Sequence, residues 1–202
     1  MDNSCMRALS YGLFVVTARE GDKDNGCITN TVQQVTTSPN VITLAVNKGN
    51  YTHGMIERTG VFNISIISEK ADFSLFQRFG FQSGATVDKL AGYGSVKRAE
   101  NGVLYVTEGI NAFICAKVIN SVDMGTHTLF IAEVTDGGTL DGAPSATYAY
   151  YHANIKPRPQ KAKKTVWRCS ICGYEYEGEE LPEDFVCPLC KHGAEDFEKI
   201  TV

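Results

Sequence analysis

The stretch WRCSICGYEYEGEELPEDFVCPLC, residues 167–190, holds two C-x-x-C pairs, Cys169 with Cys172 and Cys187 with Cys190. Two such pairs can present four thiolates to one metal ion in tetrahedral geometry, a donor set that selects iron or zinc. A zinc ribbon has nearly the same spacing, so the spacing alone leaves the metal open. The other three of the seven cysteines are scattered, and this odd total with two tight pairs favours metal ligands over a disulfide framework.

The residues around the two pairs favour iron. The module is rich in aromatic residues, namely Trp167, Tyr174, Tyr176, Phe185 and Phe197. Residues 167–202 are too few to build a large apolar core, so a metal and these rings would have to stabilise the module together.

The runs WRCSICGY, LPEDFVCPLC and EDFEKI resemble rubredoxin along the whole module. The resemblance implies one iron that Cys169, Cys172, Cys187 and Cys190 bind and that cycles between the ferric and ferrous states. The segment between the pairs is shorter than in a free-standing rubredoxin, as in rubredoxin domains appended to larger electron-transfer proteins. Lys191 stands where rubredoxin commonly has glycine, and a left-handed lysine there would cost about 1 kcal/mol. Ile171 and Leu189, inside the two pairs, are expected to cap the iron and exclude water.

Length and charge limit the remaining possibilities. The 202 residues suffice for one domain of ordinary size and a small second one. A net charge of −4 gives no reason to expect a nucleic-acid partner. The sequence has no run of 18 apolar residues and begins without a basic leader, so we expect no membrane span and a cytoplasmic location.

The chain divides into three parts by composition. Residues 1–155 are rich in strand signals, residues 156–166 (KPRPQKAKKTV) have the composition of a linker, and residues 167–202 form the cysteine module. Nine acidic and two basic residues give residues 169–202 a net charge of −7, whereas six basic residues give residues 156–168 a net charge of +6. This contrast fits either electrostatic docking of the module or a linker that is simply well hydrated.

The first 155 residues favour a mainly β fold, an antiparallel barrel or sandwich. Apolar or β-branched runs separated by turn signals predict strands, and they lie at residues 13–17, 28–37, 41–46, 61–67, 103–106, 112–119 and 128–135. Helices are predicted at residues 52–58, with Thr52 as the N-cap, and at residues 69–79. Three phenylalanines on one face of the second helix indicate a core stripe rather than a cofactor site.

Two stretches of this domain carry polar groups suited to a ligand. No Walker loop or G-x-G-x-x-G motif is present, so a Rossmann-type nucleotide site is not supported. In GCITNTVQQVTTSP, residues 26–39, hydroxyl and amide groups alternate along a predicted strand and could bind a phosphate or a heterocycle edge. In AVNKGNYTHGMI, residues 45–56, Lys48, Thr52 and a helix N-terminus could hold a phosphate together. Each signal alone is weak, since threonine-rich strands are commonly plain strands.

Residues 11–151 resemble the flavin reductase-like family of split-barrel, FMN-binding proteins. The resemblance rests on YGLFVVT, the two stretches above, GVFNIS, and GTHTLFIAEV at residues 125–134, which is close to the family's D-H-T-L-F-I-G-E-V run. It implies a split β-barrel, a homodimer, and FMN near the subunit interface. Asn30 and Thr31 stand where many relatives have two serines, which leaves the exact phosphate ligands open. By position the flavin contacts are Thr29, Asn30, Thr31, Val32, Val46, Asn47, Lys48, Tyr51 and Thr52. His127 is the residue expected to act near flavin and nicotinamide, with a structural turn histidine as the alternative.

The two modules together resemble the high-molecular-weight rubredoxins of anaerobes. The resemblance implies an enzyme in which NAD(P)H reduces FMN, FMN reduces the iron, and a diiron flavoprotein that reduces O₂ or NO accepts the electrons. Three alternatives stay open at this point: an electron carrier without its own NAD(P)H oxidation, a diffusible flavin reductase with a vestigial metal domain, and a zinc-ribbon interaction module on a flavin-binding barrel.

Overall fold

A computed structural model describes residues 2–157 and 165–201. These residues form two compact units, the first ending at Pro157 and the second containing residues 165–201. Most of the predicted linker, residues 158–164, lies outside the described residues, so the boundaries at residues 155 and 167 remain a prediction. Within the described ranges, no helix is long and apolar enough to cross a membrane.

The first unit is built on a seven-stranded antiparallel sheet with the order β2-β1-β5-β8-β9-β4-β3. Its strands are β1 (Phe14–Glu20), β2 (Lys23–Thr29), β3 (Val32–Thr37), β4 (Asn40–Asn47), β5 (Val61–Ile67), β8 (Ile110–Asp123) and β9 (His127–Thr139). A two-stranded ribbon consists of β6 (Val96–Arg98) and β7 (Leu104–Val106).

The two edges of the large sheet are consecutive in the sequence. Strands β2 and β3 are joined only by Asn30 and Thr31, yet they occupy opposite edges of the sheet. A link this short can join opposite edges only if the sheet curls on itself. The Thr31 hydroxyl donates to the carbonyl of Ala45 on β4 (2.6 Å), and the hydroxyl of Thr29, the last residue of β2, reaches the same carbonyl (3.5 Å), so the end of β2 lies against β4 where the curl closes. The predicted mainly β barrel followed by a small metal module is confirmed.

The structure corrects three of the predicted elements. The single strand predicted over residues 28–37 is two strands, because the chain turns at Asn30 and Thr31. Helix α1 (Tyr51–Thr59) is capped by Asn50, whose side chain accepts from the Thr52 N–H (3.0 Å), and not by Thr52. Helix α2 (Phe73–Gly80) begins after its cap, Asp72, and is four residues shorter at its start than predicted.

Two apolar clusters stabilise the barrel unit. One joins β1, β4, β5 and β9 to helix α1 and includes the fully buried Phe62 and Leu44. The other joins α2 to the start of β1 through Phe76 and Phe79, so the predicted core stripe of this helix is confirmed. A short helix, Tyr148–Tyr150, continues as one π-helical turn, Tyr151–Ile155, and packs Tyr151 on Phe76 with ring centroids 4.4 Å apart.

The second unit is a three-stranded antiparallel sheet with β10 in the centre. Its strands are β10 (Thr165–Cys169), β11 (Glu175–Glu177) and β12 (Phe197–Thr201). The buried part of this unit consists of Val166, Phe197 and two cysteines, with the rings of Tyr176 and Phe185 packed around them. This core is small, as expected for a domain that depends on a metal.

Candidate functional site

The two cysteine pairs lie on turns with the same backbone hydrogen bonds. In the first turn the Gly173 N–H donates to the Cys169 carbonyl (2.9 Å), and in the second the Lys191 N–H donates to the Cys187 carbonyl (3.0 Å). The residue after each second cysteine is left-handed, with φ of 77° at Gly173 and 63° at Lys191. Lys191 is the one described non-glycine residue with positive φ, so the expected strain at this position is present.

The turns bring the four sulfurs together. All four Sγ atoms lie within 4.8 Å of one another, and two of the distances are 3.6 Å (Cys169 to Cys190) and 3.4 Å (Cys172 to Cys187). A disulfide would need about 2.05 Å. Bonds of about 2.3 Å to a central ion place tetrahedral sulfurs about 3.8 Å apart, so the sulfur arrangement fits one metal ion.

Charge also favours a metal at this point. Burial opposes ionisation of Cys187, but the backbone N–H groups of Cys190 and Leu189 and the neighbouring thiols outweigh it and lower the pKa of Cys187 to about 6. The His192 N–H acts to lower the pKa of Cys190, but burial and the other sulfurs prevail and raise it to about 12. Four thiolates therefore do not coexist at neutral pH without a cation, and metal binding would release protons.

The four sulfurs differ in their access to solvent. Cys169 and Cys187 are 1% and 0% exposed, whereas Cys172 lies at the surface. Ile171 and Leu189 are 56% and 69% exposed. Both side chains and Cys172 are thus open to solvent in this structure, and the expected cap over the metal stays a prediction. Ile171 and Leu189 form an apolar rim beside an accessible sulfur.

In the barrel unit, the structure brings most of the predicted flavin residues together where β4 ends. Thr29 and Thr31 have their hydroxyl oxygens 2.7 Å apart, next to the Ala45 carbonyl, and Val32 starts β3 opposite Leu44. Val46 is buried, and Asn47 pairs with His127 across β4 and β9. These hydroxyl and amide groups are half-buried or exposed, as a ligand would require.

Lys48 and His127 both lie near the turn between β8 and β9. The Lys48 ammonium pairs with Asp123 (2.7 Å), and its backbone N–H donates to the Thr126 carbonyl (3.0 Å). His127 is half-buried, and its Nδ1 is 2.9 Å from the Thr126 hydroxyl, which fixes the orientation of the ring. His53 is different: its Nε2 is 2.7 Å from the Thr128 hydroxyl inside the barrel, as expected of a structural histidine.

The last two predicted flavin residues open helix α1. Tyr51 is half-buried, with the Lys23 ammonium 4.2 Å from its ring centroid. Thr52 is 0% exposed, and its hydroxyl accepts from the Asn25 side chain (2.9 Å). The hydroxyl of Thr52 is thus engaged with the barrel wall in this structure and is not presented at the surface with Lys48.

The sequence analysis missed a buried lysine behind this region. Lys89 is 3% exposed and donates to the carbonyls of Gly26 (2.9 Å) and Phe79 (3.1 Å). Burial lowers its pKa, and within the described part of the chain no carboxylate forms an ion pair with it. Its loop, TVDKLAG, mixes apolar and charged residues without a periodic pattern, so no sequence signal marks this buried charge.

The sequence analysis also missed a groove of about 670 Å³ at the opposite end of β4. Its apolar wall includes Phe14, Ile42, Ile66 and Ile114, and Gln33 and Asp136 contribute polar groups. Among the predicted site residues only Val32 lines it. The groove therefore continues from the β3 side of the predicted flavin site along the sheet.

Two family models match the chain. One, described as a flavin reductase like domain, covers residues 6–158, and the other, described as a rubrerythrin, rubredoxin-like domain, covers residues 167–198. Flavin reductase PheA2 has a TM-score of 0.62 at 19% identity, covering 89% of this chain and 100% of its own. The FMN-binding protein of Thermus thermophilus has a TM-score of 0.60 at 22% identity, covering 66% and 73%. At these identities the two structures show a shared fold.

Two curated relatives are more similar in sequence. Ferric-chelate reductase (NAD(P)H) of Archaeoglobus fulgidus is 38% identical over 75% of this chain and 89% of its own. High molecular weight rubredoxin of Moorella thermoacetica is 35% identical over 99% of this chain and 100% of its own, so the match includes both modules. The chain therefore belongs to the flavin reductase-like family and, through its second module, to the high molecular weight rubredoxins.

Proposed function

We propose that this oxidoreductase carries electrons from NAD(P)H, through FMN in the barrel, to one iron in the tetrathiolate site and on to an acceptor protein. The observation that carries the proposal is the presence of four sulfurs at metal-binding distances on the same chain as a flavin reductase-like barrel. Flavin exchanges two electrons with nicotinamide and one with a metal, and the protein supplies the position and environment of each group.

We infer that the iron is held by Cys169, Cys172, Cys187 and Cys190. The two buried cysteines anchor the metal to the sheet, since Cys169 belongs to β10. Cys172, at the surface, gives the metal an edge at which an electron can enter or leave without crossing a thick protein layer. The apolar rim of Ile171 and Leu189 offers a contact surface beside that edge.

We infer that the barrel binds FMN at the end of β4. The turn that faces the ring consists of Thr29, Asn30, Thr31 and Val32. The region of the phosphate consists of Val46, Asn47, Lys48, Tyr51 and Thr52. Lys89 supports this assignment, because a buried ammonium that has no carboxylate partner among the described residues favours an anion nearby. The ammonium donates to the Gly26 carbonyl (2.9 Å), and the side chain of the preceding residue, Asn25, donates to the Thr52 hydroxyl (2.9 Å) at the start of α1.

We infer that His127 acts on the nicotinamide side of the flavin. The Thr126 hydroxyl holds the imidazole at Nδ1, so that Nε2 is left to meet a ligand. The likeness to a ferric-chelate reductase that uses NAD(P)H supports oxidation of a nicotinamide by this chain itself.

Three further parts of the proposal concern the electron acceptor, the oligomeric state and the cellular compartment. One section of the putative diflavin flavoprotein A 3 of Synechocystis is 30% identical over 63% of this chain and 21% of that protein, so a domain like this one occurs joined to a flavoprotein, which supports a flavoprotein, here proposed to be a diiron flavoprotein, as acceptor. The open groove along the sheet, with its apolar wall, supports a homodimer, since a second copy would cover it. The odd total of seven cysteines, four of them in two tight metal-binding pairs, supports a reducing compartment, the cytoplasm.

One spectroscopic experiment tests the proposal. The purified protein should contain one iron and one FMN per chain, and anaerobic NADH or NADPH should bleach both the flavin and the ferric-thiolate absorbance. A colourless metal unit that contains zinc would support an interaction module instead. Bleaching that requires a separate reductase would make the chain a carrier without nicotinamide chemistry.

A further inference from the structure

The tip of the β8–β9 hairpin is bonded to the turn between β4 and α1. Asp123, the last residue of β8, accepts from the Lys48 ammonium (2.7 Å) and from the Gly125 N–H (2.8 Å). The Lys48 N–H donates in turn to the Thr126 carbonyl (3.0 Å). The Asp123 carboxylate therefore accepts from two donors, and one of them is the ammonium that the proposed function assigns to the flavin phosphate.

The carboxylate and a phosphate compete for the same cation. A phosphate monoester carries between one and two negative charges at neutral pH. If it approaches Lys48, it either displaces Asp123 or shares the ammonium with it, and both outcomes oppose phosphate binding. Lys48 and Asp123 are 38% and 72% exposed, so solvent screens this effect but leaves the carboxylate free to move.

We propose that Asp123 sets the affinity of the barrel for phosphorylated flavin by competing with the flavin phosphate for Lys48. The inference rests on the proposed function, in which FMN binds at this end of β4. Riboflavin carries the same ring without a phosphate, so Asp123 reduces the advantage of FMN over riboflavin and leaves riboflavin binding unaffected. Asp123 is a specificity-determining residue in this sense, and its effect is electrostatic.

The substitution Asp123→Asn isolates that effect. An amide oxygen can still accept from the Gly125 N–H, so the hairpin keeps its shape while the negative charge is removed. A matched control is available in Asp141→Asn: Asp141 pairs with Lys70 (3.0 Å) and accepts from the Ala143 N–H (2.6 Å), at a site away from the predicted flavin contacts. Both variants change the net charge by the same amount.

Calorimetric or fluorescence titration of the flavin-free full chain with FMN and with riboflavin tests the inference. We expect Asp123→Asn to lower the Kd of FMN by about two- to fivefold, the range of an exposed charge pair, and to leave the Kd of riboflavin unchanged. Asp141→Asn should change neither. A second variant, Lys48→Gln, should raise the Kd of FMN and leave that of riboflavin unchanged.

The outcomes separate this inference from the proposed function. Equal changes for FMN and riboflavin in Asp123→Asn, or no change for either, would overturn the role of Asp123 while FMN binding stands. FMN binding that is insensitive to Lys48→Gln would overturn it as well, because the phosphate would then lie elsewhere. A wild-type chain that binds no FMN would overturn the proposed function, and the inference with it.

Discussion

Replacing Lys191 with glycine should stabilise the metal unit. Lys191 has φ of 63°, and its side chain is exposed. A left-handed conformation costs a residue with a Cβ about 1–2 kcal/mol. Glycine removes this strain but gains about 0.5–1 kcal/mol of additional freedom in the unfolded chain. The net stabilisation is therefore about 0.5–1 kcal/mol. Unfolding should slow by at least the corresponding factor of about two to five, since the added freedom of the unfolded chain affects refolding and not the breaking of the native turn.

The loss of ferric-thiolate absorbance in guanidinium measures this rate in the full chain, because the absorbance belongs to the metal unit alone. Lys191→Ala is the matched control: it removes the ammonium and the long side chain but keeps the Cβ, so it should unfold at the wild-type rate. The converse substitution, Gly173→Ala, should accelerate unfolding, since Gly173 has φ of 77° at the equivalent position of the other turn. If Lys191→Gly unfolds no more slowly than Lys191→Ala, the backbone at residue 191 carries no strain and the reasoning is wrong.

Three other predictions concern the metal and the flavin. Cys172→Ser and Cys190→Ser should abolish or severely weaken iron binding, measured by metal analysis, while the flavin content stays at the wild-type level; parallel loss of flavin would contradict two separately folded units. His127→Ala should slow anaerobic flavin reduction by NADH in stopped-flow absorbance more than it lowers FMN occupancy, and an unchanged rate would return His127 to a structural role. Lys89→Met should weaken FMN binding in a calorimetric titration, because it removes a buried positive charge and the ammonium that donates to the carbonyls of Gly26 and Phe79. An unchanged Kd would show that Lys89 has no role in binding the flavin.

The metal site was readable from sequence because its determinants are local. Each pair of cysteines lies on one short turn, and the C-x-x-C spacing alone places two sulfurs close enough to bind the same ion. The left-handed residue after Cys190 was also anticipated, from the glycine that rubredoxin commonly has at this position. The exposure of Ile171 and Leu189 was not, because the packing around a turn depends on residues distant in the chain.

The β-barrel fold of the first unit was predicted from sequence, but its turn between β2 and β3, its helix cap and its buried lysine were not. Polar and β-branched residues alternate through Asn30 and Thr31 without interruption. The periodicity of the sequence therefore could not reveal that the chain turns there and closes the sheet. Asn50 and Thr52 are both good caps, and only the backbone decided between them. The burial of Lys89 is a tertiary effect that composition hides. The flavin contacts and the linker boundaries stay predictions.

The pairing of the outer ends of the metal unit affects its mechanical behaviour. Thr165, at the start of β10, pairs with Thr201, at the end of β12. The two ends therefore emerge side by side, and tension applied between them would peel β12 from β10 one rung at a time instead of shearing the strands in parallel. Peeling reaches Cys169 at the fifth and last pair of the ladder, where Cys169 pairs with Phe197. The first metal ligand is thus the point at which such a fold would resist being pulled open.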